Sequence, residues 1–156
     1  MNYYVSTDKS LLDINRVWNW LKDCYWSKNI PIEYIEKFIN HSLCFGVYRR
    51  NTHEQVAFAR VVSDFTTFAY GCDLVIDAEH RENGIASFLT KYILNHSELQ
   101  GLKTWTIRTT KEAQKIYEKF GFKQATNPET ILEINDLGIY SKHDFVNLYK
   151  KDSLAG

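Results

Sequence analysis

Cys72-Asp73-Leu74-Val75-Ile76-Asp77-Ala78-Glu79-His80-Arg81-Glu82-Asn83-Gly84-Ile85-Ala86-Ser87 decides how the rest of this 156-residue chain is read. Its first residues end an apolar run, Thr67 to Ile76, that reads as a strand. Asp77 to Gly84 is polar. From Ile85 onward, Phe88, Leu89, Tyr92 and Ile93 recur at helical spacing and form one apolar stripe. A glycine between a strand and a helix lets the backbone turn tightly and approach a ligand. The free N–H groups of a helix's first turn, aided by its dipole, attract an anion. Gly84 and Ala86 are small where bulk would obstruct a phosphate, and Arg81 adds positive charge. The stretch is fitted to a pyrophosphate. It is not a P-loop, because Gly-Lys-[Ser/Thr] is missing, and it lacks the dinucleotide G-x-G-x-x-G. The pattern is short, and a plain strand–helix turn satisfies it as well.

Working outward, Tyr3 to Ser6 reads as a short first strand. Ser10, with Asp13 three residues on, caps a helix whose stripe is Leu11, Ile14, Val17, Trp18 and Leu21. Pro31 opens a second helix with Ile35, Phe38 and Ile39 on its inner face. Ser42 to Arg49 and Val56 to Val62 form a hairpin around Arg50 to Glu54. Beyond the quoted stretch, Lys103 to Arg108 is a strand. Thr109 and Glu112 cap a helix through Ala113, Ile116, Tyr117 and Phe120, and Gly121 stands at its end. Phe122 to Gln124 and Thr130 to Ile134 are two further strand candidates. The order predicts an α/β (α+β) domain: a single mixed, mostly antiparallel twisted sheet flanked by helices on both faces. One domain spans residues 1–156, with a core of about 3–134 and an aromatic-bearing tail at Tyr140 to Lys150.

Composition narrows the partners. The chain is 44% hydrophobic and 15% aromatic, enough for a packed core. Its 19 basic and 19 acidic residues cancel, so no global field draws it to nucleic acid or an anionic membrane. No apolar run approaches the ~20 residues that span a bilayer, and the first residues lack a signal-peptide pattern. A cytoplasmic location is expected. Cys24, Cys44 and Cys72 form no C-x-x-C pair, and His41, His53 and His80 lack metal spacing, so no metal is expected. Cys44 and Cys72 read as buried strand residues.

Arg81-x-x-Gly84-x-Ala86 after an apolar strand resembles the acetyl-CoA signature of the GNAT superfamily, [Gln/Arg]-x-x-Gly-x-[Gly/Ala]. Ala113-x-x-Ile116-Tyr117-x-x-Phe120-Gly121-Phe122 resembles a second segment of that family, one helix and one strand further on. The element order is similar from about Tyr3 to Ile134. The resemblance implies a GNAT fold and transfer of an acetyl group from acetyl-CoA to a primary amine in a ternary complex. It implies that backbone N–H groups of Arg81, Glu82, Asn83, Gly84, Ile85, Ala86 and Ser87 hold the CoA pyrophosphate. Leu74, Val75 and Ile76 would pair with the pantetheine arm as with an added strand, and Thr110 would touch it. Tyr117 would protonate the departing CoA thiolate, while also packing its ring in the core. Glu82 is expected to face solvent. Family members are often dimers, which leaves a homodimer open.

The amine side is read from chemistry. An alkylammonium has a pKa near ~10.4 and must lose a proton before it attacks a thioester. Asp73, beside the presumed pantetheine strand, is the first candidate base, and Asp64 at the preceding strand end is the second. Tyr25, Trp26, Phe68 and Tyr70 lie on segments that line the acceptor pocket in the family, though each also suits a core. The rival from another class is a non-catalytic acyl-CoA-binding regulatory module on the same fold.

Overall fold

The computed structural model describes residues 2–142 of the chain. Tyr3–Ser6 (β1), Leu43–Arg49 (β2), Gln55–Ser63 (β3), Phe68–Ile76 (β4) and Thr104–Ile107 (β5) form one sheet in that order. β1 to β4 pair antiparallel, whereas β4 and β5 pair parallel. The parallel pair needs a crossover, and Ile85–Leu94 (α3) supplies it. Ile14–Leu21 (α1) and Ile32–Asn40 (α2) precede β2, and Lys111–Glu118 (α4) follows β5.

Side chains alternate across a strand, and the two faces bury different helices. Cys44 and Phe58 meet Val17, Leu21, Ile35 and Ile39 of α1 and α2. Phe45, Val47, Ala57, Ala59 and Val61 meet Ile85, Leu89 and Ile93 of α3 on the other face. Phe58 is fully buried, so Phe58→Ala would cost about 3–5 kcal/mol. The mixed sheet with helices on both faces is the expected architecture.

The helix starts differ by small shifts. Ser10 sits in a 3-10 turn, Lys9–Leu11, whose cap is Asp8. Asp13 is the cap of α1, its carboxylate accepting from Arg16 N at 2.9 Å. Leu11 is thereby left out of the buried stripe and stays exposed. Thr110, not Thr109, caps α4.

Two strand expectations fail. Neither Phe122 to Gln124 nor Thr130 to Ile134 forms a strand. Leu132 and Ile134 are 92% and 105% exposed, so the apolar residues there gain no burial. Tertiary contacts hold the segment instead. Glu133 pairs with Arg108, and Tyr140 lies edge-on to Tyr34 with ring centroids 5.8 Å apart. The tail expected at Tyr140 to Lys150 lies outside the described residues beyond position 142.

The sheet is interrupted where β4 matters. Phe58 pairs with Val75 and Arg60 with Cys72, so Asp73 and Leu74 stand opposite Ala59 alone. This is a bulge, which bends its strand and re-aims a side chain. Asp73 takes the left-handed conformation, φ 54°, which Asp tolerates better than most residues. On its other edge β4 loses its neighbour. The last pair with β5 is Gly71 with Ile107, and Cys72 to Ile76 runs on without one.

Candidate active site

A cleft of about 930 Å³ opens where β4 and β5 part. One wall is mostly backbone. Beyond Gly71, the β4 edge that faced β5 is unpaired among the described residues, so its N–H and C=O groups can receive an extended ligand as another strand would. Leu74 lines the cleft here, while the side chain of Val75 packs in the core below α1 and α2. At the strand's end, the exposed residues Arg81 to Gly84 lead into α3. Gly84 is the N-cap with φ 73°, and no side chain caps the helix. The first N–H groups of α3 therefore remain available to an anion. Ile85 turns its side chain into the core, leaving only its backbone for a ligand. Ala86 lines the cleft, as does Thr90 one turn on. The Thr90 hydroxyl is buried without a partner among the described residues. Such a group is costly unless something satisfies it.

Arg81, Glu82, Asn83, Gly84, Ile85, Ser87, Val75 and Ile76 do not line the cleft itself. Most hold the turn at its end. Asn83 donates to the carbonyls of His80 and Arg81 at 3.2 Å, and Arg81 Nε reaches Ile76 O at 3.4 Å. Glu82 is exposed, as expected.

On the opposite side of the gap, α4 brings Thr110 and Tyr117 to the cleft. Phe122 packs edge-on against both Tyr117 and Trp105, with centroids 5.9 and 6.4 Å away. This fixes the tyrosine ring while its hydroxyl makes no hydrogen bond to a described residue. Burial pushes the Tyr117 hydroxyl above its ordinary pKa of 10.0, so it stays protonated throughout the neutral range.

The other wall is made of side chains from distant segments. Trp26, from the loop after α1, donates through Nε1 to Asp73 Oδ1 at 3.0 Å. Arg60 of β3 donates through Nε to Asp73 Oδ2 at 2.5 Å and through Nη1 to Ser42 Oγ at 3.2 Å. Its guanidinium carbon lies 4.2 Å from the centroid of the Phe38 ring. Tyr25, Tyr34, Phe38, Tyr70 and Tyr140 complete an aromatic lining. The C-terminal segment crosses this end, where Asn29 Nδ2 also donates to Ser141 Oγ at 2.8 Å.

Asp73, Trp26, Tyr25 and Tyr70 thus meet in the cleft as read from sequence. Both oxygens of Asp73 are already engaged. Asp64 lies elsewhere: it ties the β3–β4 turn, accepting from the backbone N–H groups of Thr66, Thr67 and Phe68. The Thr67 hydroxyl, which also donates to it, and then those backbone bonds hold its carboxyl below the usual range. Phe68 also stays outside the cleft and is exposed. Cys72 is half-buried and faces the cleft, rather than lying wholly in the core. Burial, with Asp73 next to it, pushes its thiol up to about 12, so it is no thiolate at neutral pH.

Sequence reasoning missed Arg60, Tyr34, Phe38, Thr90 and Tyr140. Arg60 alone carried a signal: it is the one charge inside Val56 to Val62. A charge in a buried strand must find a partner. Among the described residues, no group of His, Cys, Asp and Glu could hold a metal ion, and no helix is long and apolar enough to cross a membrane.

Known proteins share this arrangement. Residues 40–124 match the family model described as an acetyltransferase (GNAT) domain. A GNAT-family protein of Xanthomonas campestris pv. campestris, of known crystal structure, is 39% identical. It superposes with a TM-score of 0.86 over 91% of this chain and 99% of its own. A Gibberella zeae protein carrying an acetyltransferase name is 28% identical, over 78% of this chain and 80% of its own. A Clostridium acetobutylicum protein solved with acetyl-CoA is 18% identical, with a TM-score of 0.61 over 91% of this chain and 98% of its own, a likeness of fold. The parted strands, the Gly84 helix start and these matches converge on one conclusion: the chain belongs to the GNAT acetyltransferase family.

Proposed function

We propose that the protein transfers an acetyl group from acetyl-CoA to a primary amine of a small molecule or peptide, with both substrates bound together. The observation that carries this reading is Tyr117, which lines the same cleft as the unpaired β4 edge and whose hydroxyl has no hydrogen-bond partner among the described residues. Acetyl-CoA supplies an acyl group activated as a thioester. The α3 N-terminus and the residues from Arg81 to Ser87 receive its phosphates, and Leu74 to Ile76 align its arm along β4. Free N–H groups on that edge stabilise the oxyanion that develops when the amine attacks. Tyr117 then donates its proton to the departing sulfur. Its raised pKa suits an acid: the proton is held until pH climbs past the ordinary tyrosine range.

On the amine side Asp73 acts by holding. Its carboxylate fixes Arg60 and Trp26, and these two shape the place where the amine waits.

Release of the CoA thiol from acetyl-CoA, measured across a panel of primary amines against an amine-free control, tests the reading. Amine-dependent release is expected. Acetyl-CoA at ~100 times its dissociation constant should also stabilise the fold by about 2.7 kcal/mol, a melting shift of roughly 5–10 °C for a domain of this size. Such a shift without any amine-dependent release would make the protein an acyl-CoA-binding module instead.

A further inference from the structure

The charges around the amine end of the cleft are unbalanced in a way that bears on the acceptor. Among the described residues, Lys37, Arg60 and Arg108 are the lining residues with permanent positive charge, and Asp73 and Glu133 are the lining carboxylates. Neither carboxylate is uncommitted. Asp73 accepts from Arg60 and Trp26 through its two oxygens, and Glu133 pairs with Arg108. Lys37, in the last turn of α2, is exposed at the cleft and has no ion pair among the described residues. Arg60 uses Nε and Nη1, and its Nη2 meets no acceptor among the described residues. A guanidinium has five N–H donors, so donors are left over on a group pinned by Asp73, Ser42 and Phe38. His41 also lines this end; its Nδ1 is 2.8 Å from the Lys37 carbonyl oxygen.

We propose that the acceptor is an amine whose own molecule carries an anionic group, a carboxylate or a phosphate, received by the remaining donors of Arg60 and by Lys37. This rests on the amine-transfer reading above and narrows its substrate class. A plain alkylammonium entering the cleft finds no uncommitted carboxylate and an excess of positive charge. A molecule with an anion of its own supplies the missing partner. With both lining carboxylates engaged, the amine reacts from its unprotonated fraction. The nitrogen lone pair forms the new bond to the acetyl carbon, the carbon–sulfur bond breaks with its electron pair and the Tyr117 proton going to sulfur, and the amine's surplus proton passes to solvent, from which Tyr117 is reprotonated. Trp26, Tyr34, Phe38 and Tyr140 between them give the acceptor's body an aromatic surround.

Paired acceptors test the inference: phenylalanine against phenethylamine for a carboxylate, and phosphoethanolamine against ethanolamine for a phosphate. Rates of CoA release are expressed per concentration of unprotonated amine, which removes differences in amine pKa. The anion-bearing member of at least one pair should show a kcat/KM at least tenfold higher, and which pair does so identifies the anion. Lys37→Glu, an exposed change, should cut that preference at least fivefold and leave acetyl-CoA affinity unaltered. Equal or reversed ratios in both pairs would overturn the inference and leave amine transfer standing. A preference that Lys37→Glu does not alter would overturn the assignment of the anion to this end of the cleft. If acetyl-CoA binds yet no amine of either kind releases CoA, the transfer reading fails and this inference with it.

Discussion

The two walls of the cleft are built on different principles. Toward β4 and α3, the groups on offer are largely backbone: an unpaired strand edge past Gly71 and, at the end of the cleft, a helix start whose cap is Gly84. Toward α1 and α2 they are side chains. Trp26, Tyr34, Arg60, Asp73 and Tyr140 come from segments far apart in sequence. A backbone site needs only a small residue, a helix start and an open edge, and so it compresses into a few consecutive positions. A side-chain site depends on each neighbour being present, and it can change its ligand without changing the fold.

The sharpest way to break this division is at Tyr117, which serves both walls. Tyr117→Phe keeps the ring against Phe122 and removes one oxygen. A positioned general acid contributes about 10²–10⁴-fold, so kcat should fall by that order with acetyl-CoA affinity nearly unchanged. A fall of less than about twofold, with chemistry limiting, would leave Tyr117 a packing residue.

Next in size is Asp73→Asn on the side-chain wall. The Arg60 and Asp73 side chains are 20% and 9% exposed, so the pair is mostly desolvated. Removing one charge of such a pair costs about 3 kcal/mol, or roughly 6–12 °C in melting temperature. Acceptor KM should rise while acetyl-CoA affinity, once saturating ligand has restored the fold, stays within about threefold, since uncoupled sites carry little coupling energy. An equal loss of affinity for both substrates would show that the walls are not separable.

Gly84→Asp tests the backbone wall. It places a side chain and a like charge where phosphate approaches, in a left-handed conformation that costs most residues about 1–2 kcal/mol. Acetyl-CoA affinity should drop at least tenfold, about 1.4 kcal/mol, with the acceptor preference of the residual activity intact. Wild-type affinity would put the phosphate site elsewhere. Thr90→Val is the gentlest change. It removes a buried hydroxyl that lacks a partner, so the free protein should gain about 1 kcal/mol in denaturant unfolding. A loss of stability would mean that the hydroxyl is satisfied within the protein.

What the sequence disclosed follows the same division. The stripe Phe88, Leu89, Tyr92 and Ile93, the strand runs and Gly84 were readable because each is a local pattern with one physical cause. The mixed sheet with helices on both faces followed from them. The bulge at Asp73 was not readable, because it is defined by register against Ala59. Thr130 to Ile134 misled for a related reason: an apolar run is a local pattern, whereas a strand needs a partner, and this segment pairs with none among the described residues. Arg60 announced itself as a charge in an apolar run, but only the fold shows it meeting Asp73. Tyr140 stood out only as the start of an aromatic-bearing tail, since its place opposite Tyr34 depends on the path of the whole C-terminal segment.

Amide hydrogen exchange with and without saturating acetyl-CoA tests the central claim, that a backbone wall receives this ligand, most directly. Exchange should slow on binding in the segment Leu74 to Ile76 and in the first turn of α3, Ile85 to Ser87, where the N–H groups lack side-chain caps. The β1–β2 pair, far along the sheet, should exchange at an unchanged rate, apart from the small uniform protection that global stabilisation brings. Slowing confined to those two segments is the predicted result. Binding that leaves both of them exchanging as in the free protein would contradict the account.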